Sequence, residues 1–296
     1  ALTCNGIEND IKIERLSDIS HIVYAMTPAL EGEPMLKPSF RQILDNSTRP
    51  CVGLWNSSAS PVAMEVLAMS GADFIVIDGE HGPIELREIL ALLQACEPYP
   101  ATAVVRVPWN DEVRIKQVLD LGAQNLVVPM VSSANEAQRA VEATRYPAPH
   151  RPGRRGMGAV LARSARWGAV TDYSESADST VSLTVQVETA QGVSNVEEII
   201  ATEGVDALFV GPADLAAHMG HVGDSSHAEV VAAVDHVVSV AVAAGIPVGV
   251  NAFSPRDADR VLDAGADFVV TSADVLLIAQ GAQEQMARIR ARDSRS

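Results

Sequence analysis

Four stretches of this 296-residue chain follow one pattern, a helical segment closing on glycine and then a run of large apolar residues. They are Ser70-Gly-Ala-Asp-Phe-Ile-Val-Ile-Asp78, Leu121-Gly-Ala-Gln-Asn-Leu-Val-Val-Pro129, Glu203-Gly-Val-Asp-Ala-Leu-Phe-Val-Gly211 and Ala264-Gly-Ala-Asp-Phe-Val-Val-Thr-Ser272. Glycine just past a helix takes the left-handed conformation that ends it without a Cβ penalty. Continuous apolar runs, rather than alternating ones, mark parallel strands covered on both faces. Four further runs fill the gaps: Cys51-Val-Gly-Leu-Trp55, Thr102-Ala-Val-Val-Arg-Val107, Thr184-Val-Gln-Val-Glu188 and Pro247-Val-Gly-Val250.

Eight short strands separated by helical patterns over roughly 250 residues predict an α/β fold, a single-domain (β/α)8 TIM barrel. The barrel is expected over residues 39–296, behind an N-terminal extension of residues 1–38, with Ser39 capping a helix that starts at Phe40. A doubly wound open sheet should carry a glycine-rich phosphate turn after its first strand, and here that strand leads into Trp55-Asn-Ser-Ser-Ala-Ser60. With aromatics at only 4% of residues, the core is expected to be built mainly from Val, Leu, Ile and Ala. The extension either wraps another subunit, narrows a substrate entrance or is loosely attached.

The formal net charge of −16 argues against nucleic acid and anionic membranes as partners. No apolar stretch reaches the ~18 residues of a membrane span, and the N-terminus lacks a basic-then-apolar signal. A soluble, cytoplasmic protein is expected, with Cys4, Cys51 and Cys96 as plain thiols. Lysines are scarce: Lys12, Lys37 and Lys116, none at a strand end, so a Schiff-base enzyme is not expected. No Gly-x-Ser-x-Gly turn supports a serine hydrolase. His218 and His221 lie near Asp214 but in a glycine-containing stretch, and read as surface residues rather than zinc ligands.

Barrel chemistry sits at the C-terminal ends of the strands. Those ends supply Trp55; Asp78, Glu80 and His81; Arg106; Pro129 and Met130; Gln186 and Glu188; Asp214; Asn251; and Ser272 with Asp274. The pair Glu188 and Asp214 suits a hard divalent cation, which takes one or two carboxylates and leaves its other positions to water and an anionic substrate. Such a substrate needs local positive charge. Residues 139–166 hold Arg139, Arg145, Arg151, Arg154, Arg155, Arg163 and Arg166 against the single acid Glu142. This insert between the fourth and fifth strands is expected to form a lip over a site, a subunit contact or a solvated connection.

Asp78-Gly-Glu-His-Gly-Pro83, Val104-Val-Arg-Val-Pro-Trp-Asn-Asp111, Leu126-Val-Val-Pro-Met130, Val185-Gln-Val-Glu188 and Gly211-Pro-Ala-Asp-Leu215 together resemble the signature segments of the HpcH/HpaI aldolases, metal-dependent pyruvate aldolases. The likeness runs in order from about Phe40 to about Ala282. It implies Mg²⁺, Mn²⁺ or Co²⁺ on Glu188 and Asp214, 2-oxo acid and aldehyde substrates, a C-terminal helix exchanged between subunits, and a homohexamer built as a trimer of dimers. It further implies His81 as catalytic base, acting with Asp78 and a water on the metal, and Arg106 as the group that polarises the ketone and holds the enolate. Gln186 would position the metal-bound acid, the backbone of Gly211, Pro212 and Ala213 would receive its carboxylate, and the loop from Trp55 to Ser60 would shape the acceptor site.

Arg155 matches a family arginine that reaches a neighbouring subunit's site, but Tyr146-Pro-Ala-Pro-His-Arg-Pro-Gly-Arg-Arg-Gly156 is longer than the family's segment. That leaves the role open among Arg151, Arg154 and Arg155. Thr271-Ser272 also stands where the family tends to have Val-Gly. The function this resemblance implies is a carbon–carbon lyase, a class II aldolase acting on 4-hydroxy-2-oxo acids. The alternatives are an oxaloacetate-decarboxylating, bond-forming enzyme of the macrophomate synthase type, a CoA-ester lyase, and a non-catalytic degenerate barrel.

Overall fold

The computed structural model describes residues 36–293, so the expectations for the extension and for Cys4 lie outside the described residues apart from positions 36–38. In chain order the elements are α1 (Phe40–Asn46), β1 (Cys51–Asn56), α2 (Pro61–Ala68), β2 (Phe74–Asp78), α3 (Leu86–Cys96), β3 (Thr102–Arg106), α4 (Glu112–Asp120), β4 (Asn125–Val128) and α5 (Ala134–Thr144). After two 3₁₀ turns come α6 (Tyr173–Thr180), β5 (Ser182–Val187), α7 (Ala190–Ser194), α8 (Val196–Ile200), β6 (Ala207–Val210), α9 (Pro212–His218), α10 (Ala228–Ala244), β7 (Val248–Asn251), α11 (Pro255–Asp263), β8 (Phe268–Ala273) and α12 (Asp274–Asp293). The eight strands close into a barrel in sequential order, every pair parallel. The glycines of the four repeated segments, Gly71, Gly122, Gly204 and Gly265, all have φ between 90° and 100°, a conformation costly for any side chain.

Successive side chains of a strand point to opposite faces, and the apolar runs conceal that alternation. On β5, Leu183, Val185 and Val187 join the aliphatic layer between strands and helices, while Thr184, Gln186 and then Glu188 point into the barrel. The expected Val, Leu, Ile and Ala core describes this outer layer well. The barrel interior differs, because four of the chain's five phenylalanines, Phe40, Phe74, Phe209 and Phe268, gather there with Trp55. Gly53 and Gly249 make room for them; a Cβ at either would lie within 2.3 Å of the Phe74 or Phe268 ring.

Helix α1 closes the N-terminal end of the barrel. Ser39 and Gln42 form a reciprocal capping box, the Phe40 amide donates to Asn125 Oδ1 at 2.6 Å, and the Phe40 ring stands 4.8 Å from that of Phe74 and 5.2 Å from that of Phe268. Burying a side chain of this size contributes about 1.5–3 kcal/mol.

The arginine-rich insert joins the end of α5 to α6 and β5, so it leaves from the end of the barrel opposite the strand C-termini. The expected lip over this subunit's site is therefore not formed. Its arginines turn to acids of the scaffold: Arg151 to Asp178, Arg154 to Glu142 and Glu112, Arg155 to Asp120, and Arg163 and Arg166 to Glu97. Arg155 is 1% exposed, its guanidinium over the rings of Tyr146 and Tyr173 and donating to Tyr173 Oη and Asp120 Oδ1. Arg155 is thus held at the end opposite the rim and does not reach this subunit's own site; its Nε is buried without a hydrogen-bond partner.

Free thiols Cys51 and Cys96 are buried. No helix among the described residues is long and apolar enough to cross a membrane. From Val275 to Ala291 every residue of α12 is exposed, including Val275, Leu276, Leu277, Ile278, Met286 and Ile289.

Candidate active site

Strand register brings the charged residues together. Asp78 and Arg106 are paired positions on neighbouring strands β2 and β3, both facing inward and both 5% exposed. Asp78 Oδ1 accepts from Arg106 Nη2 at 2.7 Å and Nε at 3.1 Å, and from the backbone N–H groups of Glu80 and His81 at 3.2 and 3.1 Å. Asp78 thus fixes both the arginine and the turn that carries the histidine. It holds His81 by its backbone, and the ring's carboxylate neighbour is Glu80, with Nε2 to Oε2 at 3.8 Å. The His81 side chain stays 62% exposed at the mouth.

The Arg106 guanidinium is fixed on its other sides as well. Glu80 Oε2 lies 3.1 Å from Nη1, and the Trp55 ring sits 4.2 Å beneath the guanidinium carbon. Trp55 is itself held by donating from Nε1 to Asn251 Oδ1 at 2.9 Å. With 5% exposure, the Trp55 indole braces Arg106 from beneath. The loop after β1 is pinned by Asp274, which accepts from Asn56 Nδ2, the amides of Ser57 and Ser58, and the Ser58 hydroxyl.

Glu188 follows β5 and is 1% exposed. Its Oε1 accepts from the Met130 amide at 2.8 Å, and its Oε2 from Gln186 Nε2. Met130 reaches that position with φ at +59°, a strain of about 1–3 kcal/mol for a non-glycine residue. Gly211 is required beside them, because a Cβ there would lie 2.6 Å from Glu188 Oε2 and 2.9 Å from Gln186 Nε2. Asp214 occupies the first turn of α9, half-buried.

Burial pushes the Glu188 carboxyl up to about 7; Met130 and Gln186 oppose this, and the charges of Asp214 and Glu80 add to it. Burial also raises Glu80, with Arg106 and His81 pulling it down and Asp78 and Asp214 pushing it up. Glu188 is therefore a buried carboxylate held by neutral donors and repelled by two other acids, and Gln186 Oε1 is buried without a partner. A hard divalent cation between Glu188 and Asp214 fits this donor set, because it would supply the missing positive charge.

The structure brings Asp78, His81, Arg106, Gln186, Glu188, Gly211, Pro212, Ala213 and Asp214 to one rim and leaves Arg155 at the other end. Glu80, Asn251 and the Met130 amide were visible in the sequence as strand-end residues without assigned roles. The signal for Glu80 was its place one residue before His81, at a turn whose amides Asp78 collects.

A family model described as HpcH/HpaI aldolase/citrate lyase matches residues 51–280. A 4-hydroxy-2-oxo-heptane-1,7-dioate aldolase of Salmonella typhi is 44% identical over 253 residues, covering 86% of this chain and 95% of that protein. The crystal structure of an HpcH/HpaI aldolase/citrate lyase family protein from Burkholderia cenocepacia J2315 superposes with a TM-score of 0.81 at 39% identity, over 84% of this chain and 98% of that one. The citrate synthase SbnG follows with a TM-score of 0.76 at 26% identity, over 86% and 99%. Macrophomate synthase shares the fold, with a TM-score of 0.75 at 24% identity over 94% and 98%. With that match across the whole barrel and a relative of such coverage, the chain belongs to the HpcH/HpaI aldolase/citrate lyase family.

Proposed function

We propose that this carbon–carbon lyase makes and breaks the C3–C4 bond of a 4-hydroxy-2-oxo acid, joining a pyruvate enolate to an aldehyde, with a divalent ion held by Glu188 and Asp214. The observation that carries this is Glu188 itself, buried with neutral donors and pushed up to about 7 within reach of Asp214. When bound, Mg²⁺, Mn²⁺ or Co²⁺ supplies Lewis acidity at the 2-oxo acid.

The rest falls to the chain's own groups. Arg106, fixed by Asp78, Glu80 and Trp55, presents a permanent positive charge to the oxygen on which the enolate's charge grows. His81 takes the 4-hydroxyl proton as C3–C4 cleaves and returns it in the reverse direction, with Glu80 stabilising the imidazolium. Gln186 orients Glu188, and the backbone at Gly211, Pro212 and Ala213, the start of α9, receives the substrate carboxylate. The named substrate of the Salmonella relative is the first candidate. The oxaloacetate-decarboxylating alternative would use Arg106 without needing the 4-hydroxyl proton taken, so His81→Ala should spare it.

We also propose a homohexamer, a trimer of dimers, in which α12 packs on a neighbouring subunit; the support is the exposed apolar surface of α12 and of Val62, Val66 and Met69 around α2. A cytoplasmic location accords with the buried free thiols.

The test is a turnover assay on pyruvate with aldehydes and on 4-hydroxy-2-oxo acids, with excess EDTA and after adding Mg²⁺, Mn²⁺ or Co²⁺. Activity should vanish and return. Full activity in EDTA, or a lysine labelled by borohydride in the presence of pyruvate, would falsify the reading.

A further inference from the structure

We propose that His221, His227 and Glu229 form a second metal site, for a borderline transition-metal ion such as Zn²⁺, Ni²⁺ or Cu²⁺, on the connection between α9 and α10. Among the described residues this is the one group of three or more His, Cys, Asp or Glu side chains whose donor atoms all lie within 4.8 Å of one another. It does not depend on the aldolase assignment.

The three ligands are placed by backbone rather than by long flexible arms. The His221 amide donates to Ala216 O at 2.7 Å, the Asp224 amide to His221 O at 3.0 Å, and the His227 amide to Asp224 O at 3.2 Å. His227 is the N-cap of the 17-residue α10, and Glu229 stands in that helix's first turn. The connection folds back so that the two imidazoles stack 3.5 Å apart at 16°, with His221 Nε2 2.9 Å from Glu229 Oε2.

Two imidazoles and a carboxylate are a donor set for Zn²⁺, Ni²⁺ or Cu²⁺, whereas Mg²⁺ prefers oxygen alone. Zinc–nitrogen bonds of about 2.0–2.1 Å at tetrahedral angles need nitrogens about 3.3 Å apart. Because an imidazole binds through a lone pair in its ring plane, the two rings must turn out of their stacked arrangement to share one ion, a rotamer change of partly exposed side chains. An entering ion replaces the proton shared by His221 and Glu229, and a ring nitrogen of His227 completes the set. If that nitrogen is Nδ1, it gives up only a 3.3 Å bond from the exposed Glu229 amide.

A bound ion would clip α10 to α9, the helix whose first turn carries Asp214.

The test is calorimetric titration of the full chain with Zn²⁺ in excess Mg²⁺, beside His221→Ala/His227→Ala and, separately, Glu188→Gln. We expect one Zn²⁺ per chain in the wild type and in Glu188→Gln. In the double histidine variant we expect affinity to fall at least about 100-fold, with Mg²⁺-supported turnover retained as proof of folding. Wild type failing to bind Zn²⁺, or Zn²⁺ binding that survives loss of both histidines and disappears with Glu188→Gln, would overturn the second site and leave the aldolase assignment standing.

Discussion

Glu188 at the rim and Arg155 at the opposite end of the barrel are equally buried, 1% exposed each, and their surroundings treat charge in opposite ways. Arg155 has Asp120, the Tyr173 hydroxyl and two aromatic faces; burial works against its charge, yet Tyr173, Tyr146 and Asp120 leave its pKa raised. Glu188 has two neutral donors and two repelling acids, and burial lifts it to about 7. A buried charge that its neighbours complete belongs to the architecture. One they leave incomplete marks where a ligand's charge is expected.

The largest effect should come from removing the incomplete charge. Glu188→Gln keeps the shape and the Met130 contact but deletes the proposed metal ligand, so aldol turnover should fall by roughly 10³-fold or more, the several kcal/mol of a Lewis acid. The unliganded protein should melt no lower than wild type at neutral pH, since a repelled buried carboxylate has been neutralised. A variant that both kept turnover and lost stability would make Glu188 structural, like Arg155.

Arg106 combines the two cases, completed by Asp78, Glu80 and Trp55 and still bordering the site. Arg106→Lys retains charge but loses the planar fork that Asp78 holds. Turnover should drop by about 10²-fold, as for one oxyanion donor, in steady-state assays where pyruvate proton exchange falls in parallel. Equal exchange rates in variant and wild type would remove Arg106 from the enolate.

At the other end the effect should be on stability alone. Arg155→Met leaves Asp120 unpaired, but that side chain is 30% exposed and can rehydrate. The cost should be about 2 kcal/mol, below the 3–5 kcal/mol of a fully buried pair, measured by denaturant unfolding. Turnover per folded molecule should stay within a factor of about three. A loss of turnover with stability intact would make Arg155 a substrate-binding residue.

The same contrast explains what was legible in the sequence. The barrel could be read because its punctuation is local: a glycine such as Gly71 or Gly265 must sit at the left-handed helix end, and a β-branched run must follow. The rim could be read because strand ends define it, and β5 even shows the inward Gln186 and Glu188 alternating with valines. Arg155 could not be placed, since its partners Asp120 and Tyr173 lie 35 and 18 residues away and only tertiary packing joins them. The setting of Trp55 was hidden in the same way: nothing local says that its indole will be tied to Asn251, 196 residues on, and covered by Arg106. The histidine cluster was not legible in the sequence: His218 and His221 read there as surface residues, and the stacking of His221 on His227 is made by a backbone turn that spacing does not show.

The smallest predicted effect is graded with pH and follows from the direction of the Glu188 shift. Its folded pKa of about 7 lies above the value of about 4.3–4.5 for an unfolded glutamate. Below about pH 4.5 both states hold the proton and the contribution is complete; as pH rises towards 7 the unfolded state releases it first, so the unliganded protein loses stability across that window. A divalent ion competes with the same proton, so metal affinity should rise about tenfold per pH unit, roughly 1.4 kcal/mol, up to about 7 and then level off. Calorimetric titration with Mn²⁺ from about pH 5.5 to 8 reads this slope directly, and Arg155→Met should leave it unchanged because that charge is completed elsewhere. A flat affinity profile would mean that Glu188 is already ionised in the unliganded enzyme, which would place a compensating cation beside it and erase the difference between the two ends of the barrel.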